Sequence, residues 1–195
     1  MSQLSLFSAE ARPAALTDLA GLLCGPGQIV RFGAGDQARL SIVLADADRA
    51  PAARVALAAA GVTAQAVVTE SGATALRTAF RCDLADLARA WTRGAVKAVP
   101  SEWQLDGPTL RLWVLTAGAP DGRGGYLLAL DPHAPHTHQA LVAAATRAGL
   151  PPARLGGALR ISGTRRMARL VEMVGPAPDR MPAGTWPRYR GRTAC

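Results

Sequence analysis

The two halves of this sequence carry similar segments in the same order. The tripeptide at 75–77 recurs at 158–160, an offset of 83 residues, and the apolar set 84, 87, 88 and 91 recurs at 167, 170, 171 and 174 with the same offset. Ordered recurrence of this kind indicates two copies of one supersecondary unit, which bury their apolar faces together. Chance similarity within a chain rich in alanine and leucine is the alternative.

Hydrophobic periodicity predicts the order helix, two strands, helix, two strands, helix within each copy. In the first copy we expect helices at 16–23 and 51–60 and one that Asp83 caps, with strands at 28–32, 38–44, 64–70 and 74–80. In the second we expect helices at about 107–117, after Pro135 and over 167–174, a glycine-rich turn at 118–125, and strands at 126–130 and 158–162.

These elements predict an α+β fold of two pseudo-symmetric αββαββα repeats, 16–94 and 107–175, joined by a linker at 95–106. Flexible tails at 1–15 and 176–195 are expected to flank them. The first helix of each copy has small and branched residues on one face, so the two helices could pack closely across a pseudo-twofold axis. The two sheets would then form a saddle that is open on the side away from the helices, a shape that suits a nucleic-acid duplex.

The charge of the chain favours a polyanionic partner. Lys+Arg number 22 against 14 for Asp+Glu, which gives a net charge of +8, and an excess of this kind is typical of nucleic-acid binding. Lys97 is the only lysine, so a GC-rich genome could also explain the arginine bias. We expect the candidate contacts to double-stranded DNA at seven arginines on or near strands, unless these are merely solvated: Arg31, Arg39, Arg77, Arg81, Arg160, Arg165 and Arg166.

The sequence lacks features that several classes of protein require. The three cysteines form no CxxC pair, which argues against a zinc ribbon or a disulfide scaffold. No basic segment precedes a long apolar run at the N-terminus, and no apolar stretch reaches the ~20 residues that span a bilayer. We therefore expect a cytoplasmic, nucleoid-associated monomer with no membrane partner and no cofactor.

Residues 19–27 (LAGLLCGPG) resemble the LAGLIDADG motif of homing endonucleases, with Cys24 and Pro26 in place of its two acids. The resemblance implies a carboxylate at the foot of each interface helix, where paired carboxylates hold divalent metals against the scissile phosphates. Pro26 occupies the first such position and Ala117 lies near the second, while Asp121 stands in a turn. The resemblance therefore implies a nuclease-like fold that is not an enzyme.

A non-cutting branch resembles the chain over more of its length. Segments at 93–95, 117–118, 124–127 and 135–149 resemble the N-terminal LAGLIDADG-like domain of WhiA-type regulators, and the resemblance covers residues 16–175. The helix-turn-helix domain that follows in those regulators does not occur in the residues after 175. Sequence-specific promoter control is not implied without it.

The N-terminal pentapeptide matches in full the motif by which bacterial proteins bind the DNA polymerase sliding clamp. It consists of Gln3, Leu4, Ser5, Leu6 and Phe7. By this resemblance Gln3 hydrogen-bonds at the rim of the clamp groove, Leu6 and Phe7 fill its apolar pocket, and Leu4 packs beside them. A short apolar segment could equally dock on its own domain, as an edge strand or as a staple before the first helix.

Two further segments are ambiguous. His133, His136 and His138 form an HxxHxH cluster that could ligate zinc with Asp131, although a loop that leads into a helix is the simpler interpretation. The segment 176–195 interleaves Trp186 and another aromatic residue with arginines. Such residues can stack on bases and pair with phosphates, or they can fold back on the domain.

Together these features predict a non-catalytic protein that binds the sliding clamp and associates with DNA in replication or repair. One alternative is a DNA-binding transcriptional regulator of the WhiA type, in which the pentapeptide is accidental. The other is a protein-only clamp adaptor or competitor that does not touch DNA.

Overall fold

The computed structural model describes residues 8–34 and 36–189. The first unit contains α1 (Ala20–Cys24), β1 (Gln28–Phe32), β2 (Gln37–Val43), α2 (Ala50–Ala59), β3 (Ala64–Val68), β4 (Thr74–Thr78) and α3 (Ala85–Trp91). A short hairpin of β5 (Thr92–Arg93) and β6 (Val96–Lys97) follows. The second unit contains α4 (Gly107–Ala117), β7 (Gly118–Pro120), β8 (Tyr126–Ala129), α5 (His138–Arg147), β9 (Ala153–Leu155), β10 (Ala158–Ile161) and α6 (Thr164–Val174). Short 3-10 turns lead into α1, α2, α3 and α5.

Each unit folds around an antiparallel sheet of four strands. The strand order is β1-β2-β4-β3 in the first sheet and β7-β8-β10-β9 in the second. The two orders are the same when β1 to β4 are matched with β7 to β10 in chain order. The recurring tripeptides at 75–77 and 158–160 lie in β4 and β10, which are the third strand in the order of each sheet. The predicted α+β fold with two αββαββα repeats is therefore confirmed.

Three local predictions were wrong. Asp83 lies inside the 3-10 turn Cys82–Leu84 and does not cap the helix, because the turn begins after Arg81. The predicted turn at 118–125 begins with strand β7. The first residue of this strand has to be small, because a Cβ on Gly118 would lie 2.6 Å from the Tyr126 ring. Strand β9 was missed because all three of its residues are exposed, so its sequence has no alternating apolar pattern.

Helices α1 and α4 pack with their backbones in contact. A Cβ atom on Gly21 would lie 2.1 Å from the Thr109 carbonyl oxygen and 2.8 Å from the Leu112 Cβ. At the ends of the two helices, a Cβ on Gly25 would lie 3.1 Å from the Ala117 Cβ. This pairing of the first helices of the two repeats agrees with the small residues on their faces.

A buried arginine completes the end of α4. Arg49 precedes α2 and is 2% exposed. Its Nη1 donates hydrogen bonds to the carbonyl oxygens of Val114 (3.2 Å) and Leu115 (3.0 Å). The last carbonyl groups of a helix have no partner within it and carry partial negative charge, so a cation there satisfies and stabilises them.

The helices cover one face of each sheet and leave the other uncovered. In β2 the buried residues Ala38, Leu40 and Ile42 alternate with more exposed ones, as expected for a sheet with one face on the core. The same alternation places Leu159 and Ile161 of β10 in the core. We refer to the surface opposite the helices as the open face of each sheet.

The described parts of both chain ends pack beside the C-terminus of α6. The Ala9 amide donates a hydrogen bond to the Met173 carbonyl oxygen at 2.8 Å. Trp186 is 6% exposed, and the Arg111 guanidinium lies 5.1 Å from the centre of its ring. Arg111 also donates a 2.6 Å hydrogen bond to the Pro176 carbonyl oxygen. Buried aromatic surface and these hydrogen bonds therefore hold residues 176–189 on the domain, which agrees with the alternative that this segment folds back.

Within the described residues, no helix has the length and apolar character needed to cross a bilayer.

Candidate nucleic-acid interface

A polar row crosses the open face of the first sheet. Gln28 pairs with Ser41, Ser41 with Arg77, and Arg77 with Gln65, so their side chains project from the same face. Arg77 is exposed and has no hydrogen-bond or ion-pair partner among the described residues. Its charge is therefore available to a ligand on this face.

A bulge beside this row turns an aromatic side chain onto the open face. Ser41 pairs with Arg77, whereas Ala38 pairs with Arg81. The two residues 39–40 therefore lie opposite the three residues 78–80. An extra residue of this kind shifts the following side chains to the opposite face of the sheet. Phe80 reaches the open face in this way, because its ring contacts residues that project there.

Phe32, Phe80 and Arg39 form what we call the aromatic platform. The two phenyl rings lie 5.0 Å apart between centroids at 41°, and the Arg39 guanidinium lies 4.7 Å from the centre of the Phe80 ring. Phe32 is 61% exposed, and the neighbouring Val30 is 46% exposed. The open face of the first sheet therefore combines two guanidinium groups with solvent-exposed aromatic carbon.

The other predicted arginines of the first repeat lie on the helix side. Arg31 pairs with Ala38, whose side chain is buried under the helices, and its Nη2 donates a 3.5 Å hydrogen bond to the Gly94 carbonyl oxygen. Arg81 forms an ion pair with Asp83 at 2.5 Å. Arg31 and Arg81 therefore do not project from the open face, because strand alternation and the bulge orient them the other way.

The repeat-related Arg160 projects from the open face of the second sheet, but it is neutralised. Its Nη2 lies 2.5 Å from the Asp121 carboxylate, which also accepts 2.7 Å hydrogen bonds from the amides of Arg123 and Gly125. Burial acts to raise the pKa of Asp121, but these hydrogen bonds hold it below its ordinary value. Asp121 thus organises its turn and binds Arg160.

Arg165 and Arg166 are also away from the open faces. Both lie on the first turn of α6, in the helix layer. Arg166 donates a 3.0 Å hydrogen bond to the Pro151 carbonyl oxygen, whereas Arg165 is exposed. The structure therefore brings Arg39 and Arg77 together on one open surface and separates them from the other predicted arginines.

The remainder of the second open face is apolar. Apart from Arg160, the residues that project there from its four strands are small or aliphatic: Ala119, Leu127, Ala129, Ala153, Leu155 and Ala158. Leu155 is 56% exposed. The two repeats share a fold, but the chemistry of their open surfaces differs.

A buried ion pair lies at the ends of the interface helices. Lys97 Nζ donates hydrogen bonds to the Gly25 carbonyl oxygen (2.8 Å) and to Asp131 Oδ2 (2.7 Å), and the Gln28 amide donates to the same carboxylate oxygen at 2.5 Å. The Lys97 and Asp131 side chains are 6% and 1% exposed. This polar cluster joins the end of α1, the β5–β6 hairpin and the end of β8, and in the sequence only the single lysine gave a local signal for it.

Burial and hydrogen bonding act in opposite directions on this pair. Burial lowers the pKa of Lys97, and the Asp131 carboxylate opposes that change. Burial acts to raise the pKa of Asp131, but hydrogen bonds from Lys97, the His133 amide and Gln28 hold it below its ordinary value. Asp131 is therefore a carboxylate at neutral pH.

The histidines support this cluster. His136 donates from Nε2 to the Lys97 carbonyl oxygen at 2.7 Å, and His138 donates from Nε2 to the Asp131 carbonyl oxygen at 2.8 Å. Within 8–34 and 36–189, no three His, Cys, Asp or Glu side chains are grouped so that they could hold a metal ion. The helix ends carry Gly25–Pro26 and Ala117–Gly118, where the resemblance implies carboxylates.

The clamp-binding pentapeptide, Gln3 to Phe7, lies outside the described residues. The residue that follows it, Ser8, is 6% exposed. Of the aromatic residues near the C-terminus, Trp186 donates its Nε1 hydrogen to the Gly175 carbonyl oxygen at 3.0 Å and is buried, while Tyr189 is 42% exposed. Trp186 is therefore a packing residue.

No protein family and no curated protein matches this chain by sequence. Among solved structures, the chain is similar to the homing endonuclease I-WcaI bound to its DNA recognition sequence. The TM-score is 0.56 at 11% identity, over 89% of this chain and 83% of that chain. This likeness confirms the predicted homing-endonuclease-like fold.

Proposed function

We propose that this protein is a non-catalytic DNA-associated protein that binds the bacterial sliding clamp through residues 3–7 and acts in replication or repair. The observation that carries the DNA-binding part is the open face of the first sheet. Arg39 and Arg77 project there beside exposed aromatic carbon, and guanidinium groups bind phosphate oxygens. The similar endonuclease was solved with DNA bound.

A salt titration of DNA affinity tests this surface. Each phosphate contact contributes a slope of about −0.9 to log K against log salt on duplex DNA. Replacing Arg39 and Arg77 by Gln should therefore make the slope shallower by about two. Arg54→Gln is the control, because Arg54 is exposed on α2 in the helix layer and loses the same charge. An equal slope for the double variant and the parent would contradict the assignment.

The absence of nuclease activity is part of the proposal. Support comes from Pro26 and Ala117 at the helix ends and from Asp121, which binds Arg160 and its own turn. Plasmid incubated with Mg²⁺ or Mn²⁺ should stay intact. Reproducible cleavage that Asp121→Asn abolishes would overturn this part of the proposal.

Clamp binding rests on the full pentapeptide match. Burying Leu6 and Phe7 offers roughly 1.5–3 kcal/mol each before the cost of ordering the segment. Tethering to a ring on DNA raises the local concentration of a weak DNA binder, so modest affinity at each site suffices.

A peptide of residues 1–10 should bind the clamp and compete with the whole protein, and Phe7→Ala should remove most of that affinity. The full-length Leu6→Ala, Phe7→Ala variant should lose clamp binding and retain DNA binding. Clamp binding that survives this double substitution would refute the assignment. A parent that binds DNA but no clamp would favour a regulator of the WhiA type instead.

The open face of the second sheet favours a second candidate function, that of a protein-only clamp adaptor. Its alanines and leucines, with Arg160 paired to Asp121, offer apolar area without free charge, which suits a protein partner better than phosphate. A protein-only clamp adaptor would bind the clamp with the same affinity in the presence and absence of DNA. Its retention on DNA without the clamp would be undetectable at about 50 mM salt, where phosphate contacts are strong.

A further inference from the structure

We propose that the aromatic platform binds unpaired nucleotides of DNA by stacking, so that the open face of the first sheet prefers a single-stranded segment to a duplex. This inference deepens the proposed DNA binding and rests on it. The platform is Phe32, Phe80 and Arg39, beside the free guanidinium of Arg77.

The aromatic platform is exposed to solvent at Phe32. Phe32 leaves 61% of its surface in water, and it adjoins Val30, which is 46% exposed. A single exposed apolar residue is ordinary, but contiguous exposed apolar groups among polar ones mark interaction sites. The bulge between β2 and β4 adds Phe80 to this surface, and bulges commonly re-aim side chains at functional sites.

The two phenyl rings of the platform are inclined to each other. Their centroids are 5.0 Å apart and their planes are inclined at 41°, so the rings do not cover each other face to face. The exposed ring of Phe32 can accept a base on its π-face, and such stacking tolerates every base. Arg39 lies over the Phe80 ring, an arrangement that holds a guanidinium in place while its N–H groups stay available to phosphate.

The positive charges on the open face of the first sheet are closely spaced. Arg39 and the row that contains Arg77 are two residues apart along β2, about 7 Å at the rise of a strand. One nucleic-acid strand can therefore contact both guanidinium groups while a base lies on the platform. Gln65 and Ser41 in the same row add hydrogen-bonding groups.

A duplex cannot use this platform in the same way. Paired bases stack on one another and present only their edges in the grooves, so their faces are inaccessible to a phenyl ring. The second repeat also lacks the platform, because the residues that project from the open face of its four strands include no aromatic side chain and Arg160 is bound to Asp121. The two repeats therefore cannot contact a duplex symmetrically.

Binding of a fluorescent oligothymidylate and of a mixed-sequence duplex of the same length should be compared by anisotropy at the same salt concentration. The parent should bind the single strand more tightly. Phe32→Leu should weaken single-strand binding by roughly 5-fold, the lower limit for the loss of a stacked base, because leucine removes the ring but retains apolar surface, and it should change duplex binding little. Phe32→Tyr should keep parental affinity, since it retains the ring.

The control is Val55→Ala, because Val55 is also 61% exposed but lies on α2. It should bind both DNA forms like the parent, and the thermal unfolding of every variant should match the parent's.

Equal affinity of Phe32→Leu and the parent for the single strand would overturn the inference, as would equal affinity of the parent for both DNA forms. Duplex binding that persists in those results leaves the proposed function standing. Failure of the parent to bind either form at about 50 mM salt, where phosphate contacts are strong, would overturn the proposed DNA binding as well.

Discussion

Gly21→Ala tests the contact that joins the two repeats. The added Cβ would lie 2.1 Å from the Thr109 carbonyl oxygen, 2.8 Å from the Leu112 Cβ and 3.0 Å from the Trp113 amide nitrogen. Because the nearest of these atoms belongs to the backbone, no side-chain rotation relieves the overlap. Helices α1 and α4 must instead separate by about 1 Å to reach ordinary contact, and a gap of that size forfeits a quarter to a half of the dispersion energy between the facing atoms.

Two effects of opposite sign decide the magnitude. Alanine favours a helix over glycine by up to about 1 kcal/mol. Overpacking a tight contact costs about 1–3 kcal/mol, and the backbone clash places this site at the upper end. We therefore expect the free energy of unfolding to fall by about 2 kcal/mol, which lowers the urea midpoint by roughly 1 M at a typical m-value.

The assay is urea unfolding followed by tryptophan fluorescence. Gly157→Ala is the matched control, because no atom lies within 4 Å of its added Cβ, and it should change stability by less than about 0.5 kcal/mol. A Gly21→Ala midpoint equal to the parent's would show that the two helices are not in backbone contact. The assignment of α1 and α4 as the interface pair would then be wrong.

Two further predictions concern the buried ion pair. Lys97→Met should lower the free energy of unfolding by about 3–5 kcal/mol, because it leaves Asp131 buried without its cation. The double variant Lys97→Met, Asp131→Leu should recover most of that loss. If the losses of the two single variants simply add in the double variant, as measured by urea unfolding, the pairing is contradicted. Because the pKa of Asp131 is depressed in the folded state, its contribution should be complete above the unfolded pKa of about 3.9 and should be lost as the pH falls through the lower folded value. Asp131→Asn should therefore show a flatter loss of stability in acid, measured as the urea midpoint against pH, and an unchanged profile would refute the depressed pKa.

Local sequence patterns were sufficient for the order of elements. An apolar stripe or a glycine stop depends on a few neighbouring residues, so most helices and strands were predicted within a few positions. The offset of 83 between the tripeptides correctly identified β4 and β10 as equivalent strands. The small residues of the first helices likewise predicted the close approach that Gly21 makes possible.

The candidate site was predicted only in part, because the direction of a strand residue depends on its register. Arg31 and Arg39 are both strand arginines, yet pairing with Ala38 places the first on the helix side, while the second projects from the open face. A shift of one residue reverses every side chain, so composition could not distinguish them. Phe80 was missed for the same reason, since the bulge that turns it outward arises from the pairing of two strands.

The contacts between distant segments depended on tertiary structure alone. Gln28 and Asp131 are separated by 103 residues, and Lys97 reaches Asp131 across 34. The repeated segments in the sequence determined that the protein has two similar units. The docking of α1 on α4 decided which polar groups became buried together. Buried charged groups have to pair and form hydrogen bonds with one another, whereas exposed groups would have remained solvated by water.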